Sequence, residues 1–363
     1  MSGLRAMQEA AKSASGNPSS LHWAGRAARR VLDDARDRLA AYIHTEAGSI
    51  VFTSGGTEAN NLAIYGWLAG QQPGRIVVSA IEHPSVLRPM EQWGERPGWE
   101  LVCVRPNVDG FVEASEICLH INEDTRLVCM MMANNETGVI QPVKQVADYC
   151  HEHGIAMLVD AVQALGKLPL NVAELGADFV SLSSHKIGGP KGVGALVVRR
   201  GCKLLELTPG GGQERGRRSG TENVPGITGF AAVLGELDYA ACASVRTSFE
   251  QQLIKAIPQA RILGCDAQRL VNTSMFCLPG IDGETLLMQL DLAGFAVASG
   301  SACSSGKRDP SHVLLAMGVP QEQARSSIRA SFGPSNTEDD AQALVNELVR
   351  IHSRLKAMAG MAA

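Results

Sequence analysis

The chain has 363 residues, 45% hydrophobic and 19% charged, with a formal net charge of -4. That length can hold one large core plus a smaller domain, and the composition is that of a folded globular protein. The slight acidity argues against nucleic acid or an anionic membrane as partner. No run approaches the ~18 apolar residues of a membrane span.

Nine cysteines are scattered without a C-x-x-C pair. This speaks against a disulfide framework and a zinc site, so no metal is expected. Most read as buried small hydrophobes, as does Cys129 in "LVCMMMA". The N-terminus has no charged-then-apolar leader pattern, which makes the cytoplasm the expected location.

In chain order, the basic residues of 26–30 suit a solvated helix face. From about residue 50 to 200, short β-rich runs alternate with amphipathic stretches such as Pro142 to His153. The strand candidates are "SIVF", "RIVVSA", "ELVCVRP", "TRLVCMMMA", "AMLVDAV", "DFVSLS" and "GALVVRR". This rhythm predicts an α/β fold with a mostly parallel sheet and helices on both faces. A Gly/Arg-rich loop, "TPGGGQERGRRSGTEN", follows. A long helical pattern from about Val224 to Ala256 leads into a second α/β unit with strand candidates "MFCLP" and "FAVAS". The stretch Glu338 to Met358 reads as an amphipathic helix. The boundary is expected near residue 238, with a large domain over 13–238, a small one over 239–363, and residues 1–12 packing near the latter.

Polar residues finish several apolar strands in succession, and in open α/β sheets that carboxyl edge binds ligands. "VFTSGGTEANNLAI" reads as strand, turn and helix. Its Gly56 and Thr57 would offer free N–H groups and a hydroxyl to a phosphate, or simply make a tight turn. "SAIEHPSVL" ends in Glu82 and His83, whose flat imidazole suits stacking on a flat cofactor. "MANNETG" adds Asn134 and Asn135. "LVDAVQALGK" puts Asp160 at a strand end, with Gln163 shortly after. A buried carboxylate there needs a partner, either a protonated ring nitrogen or a helix N-terminus.

"SLSSHKIGGPKGVGALVV" brings Ser183, His185 and Lys186 to the next strand end, with glycines clearing space. Lys186 is either a surface lysine or one that joins a carbonyl cofactor as a Schiff base. In "ASGSACSSGKRDPSHVL", Cys303 sits among serines and glycines, a setting for a reactive thiolate rather than a core residue. Arg329 in "SSIRASFG" offers a fork for a carboxylate.

Taken in order from Gly16 to Gly333, these stretches, with "GNPSSLH", resemble the pyridoxal-phosphate-dependent cysteine desulfurases that serve nitrogen fixation and iron–sulfur cluster assembly. "SGSACSSG" is similar to the loop of the first desulfurase group. The resemblance implies the fold of aspartate aminotransferase (fold type I), a homodimer, pyridoxal 5'-phosphate as cofactor and L-cysteine as substrate. It also implies a sulfur-acceptor or iron–sulfur scaffold protein as partner.

By the same resemblance, Lys186 is the Schiff-base lysine, and Asp160 pairs with the ring nitrogen. Gln163 bonds the phenolic oxygen, and His83 stacks on the ring and assists proton transfer. Gly56, Thr57, Ser183 and His185 bind the phosphate, and Thr221 reaches the partner subunit's phosphate. Asn135 and Arg329 hold the substrate carboxylate, while Cys303 attacks the sulfur to leave alanine and an enzyme persulfide. An aminotransferase or lyase of the same fold is the rival enzyme reading, against which Cys303 argues. Family members carry a strand and a Thr-Thr loop ahead of the point where this sequence starts. The expectation is therefore a retained cofactor with reduced stability and turnover, or at the extreme a binder whose catalysis is impaired.

Overall fold

The computed structural model describes residues 2–299 and 309–361. By contacts the chain divides into two compact units. The first comprises Met1–Val104, Glu113–Met132 and Gln141–Leu237, and the second Arg105–Val112, Ala133–Ile140 and Asp238–Ala363.

Seven strands build the first unit: β1 (Ile50–Thr53), β2 (Arg75–Ser79), β3 (Glu100–Val104), β4 (Thr125–Met131), β5 (Ala156–Asp160), β6 (Phe179–Ser183) and β7 (Gly194–Val198). They form one sheet in the order β1-β7-β6-β5-β4-β2-β3. The pairs from β3 through β6 are parallel, while β7 runs antiparallel to both β6 and β1. Each corresponds to an apolar run of the sequence.

Ile76, Val78, Leu127, Cys129 and Leu158 meet the helices Gly56–Leu68 and Pro84–Gly94 on one face. The alternate residues Val77, Val128, Met130, Met157 and Val159 are equally buried. Burial on both faces is why the strands read as continuous apolar runs rather than alternating ones.

Two expectations about connectivity need correction. The pattern from Val224 to Ala256 is not one helix. A helix over Val224–Val233 and a 3-10 turn over Leu234–Glu236 are followed by extended Leu237, and a new helix starts at Cys242. Asp238 Oδ1 accepts from Ala240 N at 3.0 Å, a local turn that competes with helix. Residues 1–12 were expected beside the C-terminal domain. Instead the helix Ser2–Ser13 packs against Val224–Val233 in the first unit. The close approach depends on small residues: a methyl group added at Gly229 would meet Met7 Cγ at 2.6 Å.

The second unit has a four-stranded antiparallel sheet in the order β10-β11-β9-β8, from β8 (Arg261–Leu263), β9 (Thr273–Cys277), β10 (Ala298–Ser299) and β11 (Ser327–Ser331). Its core joins Phe249 of the helix Cys242–Ala256 to Phe276 and Phe332, with ring centroids 5.5 Å apart in each pair. The helix Glu338–Met361 seals it with Leu344, Val345, Leu348 and Ile351. Among the described residues no helix is long and apolar enough to cross a membrane.

Candidate active site

The sheet order β6-β5-β4-β2 sets the carboxyl ends of these strands side by side in the first unit. Asp160 ends β5 at 6% exposure. Its Oδ1 accepts from Val162 N at 3.0 Å and its Oδ2 from Asn60 Nδ2 at 2.8 Å. Each of its two oxygens thus accepts one hydrogen bond from the protein.

Lys186 lies one strand over, on the 3-10 turn Ser184–Ile187 that follows β6. Gly188 closes that turn in the left-handed region at φ 78°. A methyl group at Gly189 would come within 2.2 Å of Ser184 Oγ. These glycines are thus needed to fold the turn back on itself. Ser183 Oγ and His185 Nδ1 are hydrogen-bonded at 2.9 Å. Burial, then the charges of Lys186 and Lys191, lower the His185 pKa, so its ring is neutral at physiological pH.

The helix Gly56–Leu68 starts against these strand ends. A methyl group at Gly56 would meet Val162 Cγ2 at 2.7 Å and Ser183 Cβ at 3.7 Å. Gly56 and Thr57 therefore begin a helix beside Ser183, where the first-turn N–H groups form an anion-binding end.

His83 follows β2 as N-cap of the helix Pro84–Gly94. Its Nδ1 accepts from Ser85 N at 3.1 Å and lies 2.7 Å from Ser85 Oγ. Glu82, fully buried, accepts through Oε1 from Ser79 Oγ and from Met131 N, both at 2.6 Å. Gln163 accepts from Lys167 Nζ through its carbonyl at 3.1 Å and its Oε1 at 3.4 Å.

The Gly/Arg-rich loop that carries Thr221 is pinned to the same edge. Glu214 forms a two-pronged buried salt bridge with Arg36 at 2.6 and 2.9 Å and accepts from Phe52 N at 2.9 Å. This holds Glu214 and Arg215 in the left-handed region at φ 48° and 60°, a conformation that persists only where surroundings impose it. Arg218 grips Glu58 beside Thr57 at 2.7 Å.

In the second unit, Arg329 on β11 donates from Nη1 to the Asn135 carbonyl at 2.6 Å. Asn135 Oδ1 and Arg329 Nε are buried with no hydrogen-bond partner among the described residues. Buried polar atoms are nearly always paired, so two orphans on neighbouring residues suit a polar ligand. Next to them Glu136 accepts from Ser311 Oγ at 2.5 Å. Its pKa rises to about 7 because burial outweighs that bond and the nearby Arg329 charge. Cys303 lies outside the described residues.

The aminotransferase class-V family matches residues 2–344. The chain belongs to the class-V aminotransferase family. It is 39% identical to a cysteine desulfurase IscS of Dictyoglomus turgidum over 359 residues, covering 97% of this chain and 91% of that one. It is 41% identical to a cysteine desulfurase of Nostoc sp. over 351 residues, covering 94% and 87%. Among solved structures, a NifS-like protein superposes with a TM-score of 0.89 at 34% identity, covering 97% of this chain and 95% of that chain. A NifS-like protein from Rickettsia africae gives 0.85 at 31%, covering 96% of each.

Enzymes of the class-V aminotransferase family use pyridoxal 5'-phosphate, and this edge fits it. Asp160 is an acceptor with coordination to spare, a lysine ends the adjoining strand, and a glycine-led helix start stands beside Ser183. The mostly parallel α/β sheet is that of fold type I.

Sequence reasoning missed Asn60, Ser85, Arg36 and Glu214. A signal existed for Asn60: it stands four residues from Gly56 and from Ile64, both buried, so a polar side chain interrupts a buried helical stripe. Arg36 and Glu214 are far apart in sequence, and nothing local ties them together.

Proposed function

We propose that the protein is a cysteine desulfurase converting L-cysteine to L-alanine, with the sulfur taken by Cys303 as a persulfide. The observation that carries the reading is the pairing of a twice-hydrogen-bonded Asp160 on β5 with Lys186 just beyond the adjoining β6. The names of the relatives select desulfuration within the family.

When bound, pyridoxal phosphate supplies an aldehyde for an amine and a ring that takes up the electron pair freed at the substrate's α-carbon. Asp160 would keep a proton on the ring nitrogen and so maintain that capacity. Gly56, Thr57, Ser183 and His185 would hold the phosphate, Gln163 would meet the phenolic oxygen, and His83 would stack on the ring. Lys186 Nζ would hold the cofactor's aldehyde and is the amine that would take the α-proton. Arg329 and Asn135 orient the substrate carboxylate.

At Cys303 an S–S bond forms as the substrate's C–S bond breaks. The electron pair left on the substrate carbon is quenched by a proton, giving alanine. We further infer a homodimer in which Thr221 serves the partner subunit's phosphate, and a scaffold or carrier protein that accepts the sulfur. Purified protein supplied with pyridoxal phosphate and L-cysteine should release alanine, and sulfide under reducing conditions. Pyruvate or an amino-group transfer product in place of alanine would reject the reading.

A further inference from the structure

Asn60 is fully buried, and its Nδ2 donates twice, to Asp160 Oδ2 at 2.8 Å and to Ser85 Oγ at 2.9 Å. The amide cannot be turned over, because Oδ1 would then face a carboxylate oxygen. Ser85 Oγ, accepting a hydrogen bond from Asn60, donates its own O–H to His83 Nδ1 at 2.7 Å. The backbone N–H of Ser85 also points at Nδ1, at 3.1 Å, and a backbone N–H can only donate. His83 Nδ1 is therefore an acceptor, and the ring proton resides on Nε2.

Asn60 Oδ1, meanwhile, is buried without a hydrogen-bond partner among the described residues. A side chain chosen for stability alone would not leave a carbonyl unsatisfied in the core. Its two protons are what the site uses.

We propose that Asn60 and Ser85 are positioning residues that set His83 and Asp160 together. One directed hydrogen-bond chain fixes His83 as its Nε2–H tautomer and orients Asp160 Oδ2 as an acceptor. The inference rests on the reading of His83 and Asp160 as the groups at the cofactor's face and ring nitrogen. Glu82, the other buried carboxyl beside Asp160, accepts from Ser79 and Met131.

The test uses the cofactor-loaded protein labelled with 15N-histidine. In the wild type, the His83 nitrogens should show an unprotonated Nδ1 and a protonated Nε2. Ser85→Ala, which removes the shorter of the two bonds to Nδ1 and leaves only the Ser85 N–H, should shift the Nδ1 resonance and admit a fraction of the other tautomer, and Ser85→Thr, which restores a hydroxyl, should reverse this. Asn60→Leu should do the same and also weaken pyridoxal phosphate binding about tenfold, read from the cofactor's visible absorbance, since a charge-assisted hydrogen bond to Asp160 is lost. Ser85→Ala, which keeps that bond, should bind the cofactor within about twofold of wild type. Unchanged His83 resonances in folded Ser85→Ala and Asn60→Leu, with unchanged cofactor affinity in Asn60→Leu, would overturn the proposal. Neither readout needs turnover, so a failure to release alanine from L-cysteine would be seen separately.

Discussion

Glu82 and Asp160 are neighbouring buried carboxyls of which Glu82 is the protonated one at neutral pH. Burial first, and then the charge of Asp160, push the Glu82 pKa up to about 8 against the bonds from Ser79 and Met131. The edge thus presents the negative charge of Asp160 without a second one from Glu82.

This carries a sign that can be checked. The folded-state pKa of Glu82 lies above its ordinary 4.5, so the unfolded chain releases this proton first. The stability associated with Glu82 is complete below about pH 4.5 and is lost as the pH climbs to about 8. Glu82→Gln keeps an acceptor for Met131 N and removes the titration. Urea unfolding at several pH values should show wild-type stability falling relative to this variant across that window, by an amount on the order of a few kcal/mol. Parallel curves would mean that Glu82 ionises normally.

Borohydride reduction of the loaded protein, followed by peptide mapping, should put the pyridoxyl label on Lys186. Lys167 and Lys191 are the alternatives in the same region, and a label on either would move the cofactor anchor.

Cys303→Ser should keep the cofactor's colour and lose nearly all sulfide release. In the sequence this residue stands far beyond every group assigned to the cofactor, so binding and sulfur transfer should separate cleanly. Loss of colour in this variant would give the segment a structural role instead.

Arg329→Lys should raise the KM for L-cysteine about tenfold or more, with cofactor content unchanged. A lysine is a point donor and cannot present the planar fork that reaches both the Asn135 carbonyl and a carboxylate. An unaltered KM would remove Arg329 from the substrate site.

Most first-unit strands were legible because they are buried on both faces and read as apolar runs; β3, with Glu100 and Cys103 exposed, was legible from Leu101, Val102 and Val104 alone. Short β8, with half-exposed Arg261–Leu263, carries no such run, and β11 hides among serines and an arginine. The break after Glu236 was masked because apolar periodicity continues through it, while the turn made by Asp238 is a single local bond. At the site, residue types with strong chemistry stood out at strand ends. Asn60 and Ser85 did not, since an amide and a hydroxyl acquire meaning only through partners that the fold brings together.

The loop between Thr208 and Asn223 holds five glycines, the composition of a chain segment with the most conformational freedom to lose. Yet Glu214 is fastened to Arg36 and the β1 backbone, Arg215 reaches the Gly48 carbonyl at 2.8 Å, and Arg218 holds Glu58. The entropy of ordering this segment is therefore met by the protein's own folding. On the proposed reading, a phosphate arriving at Thr221 would meet a preorganised surface and would not bear that cost, which converts into affinity without any added contact.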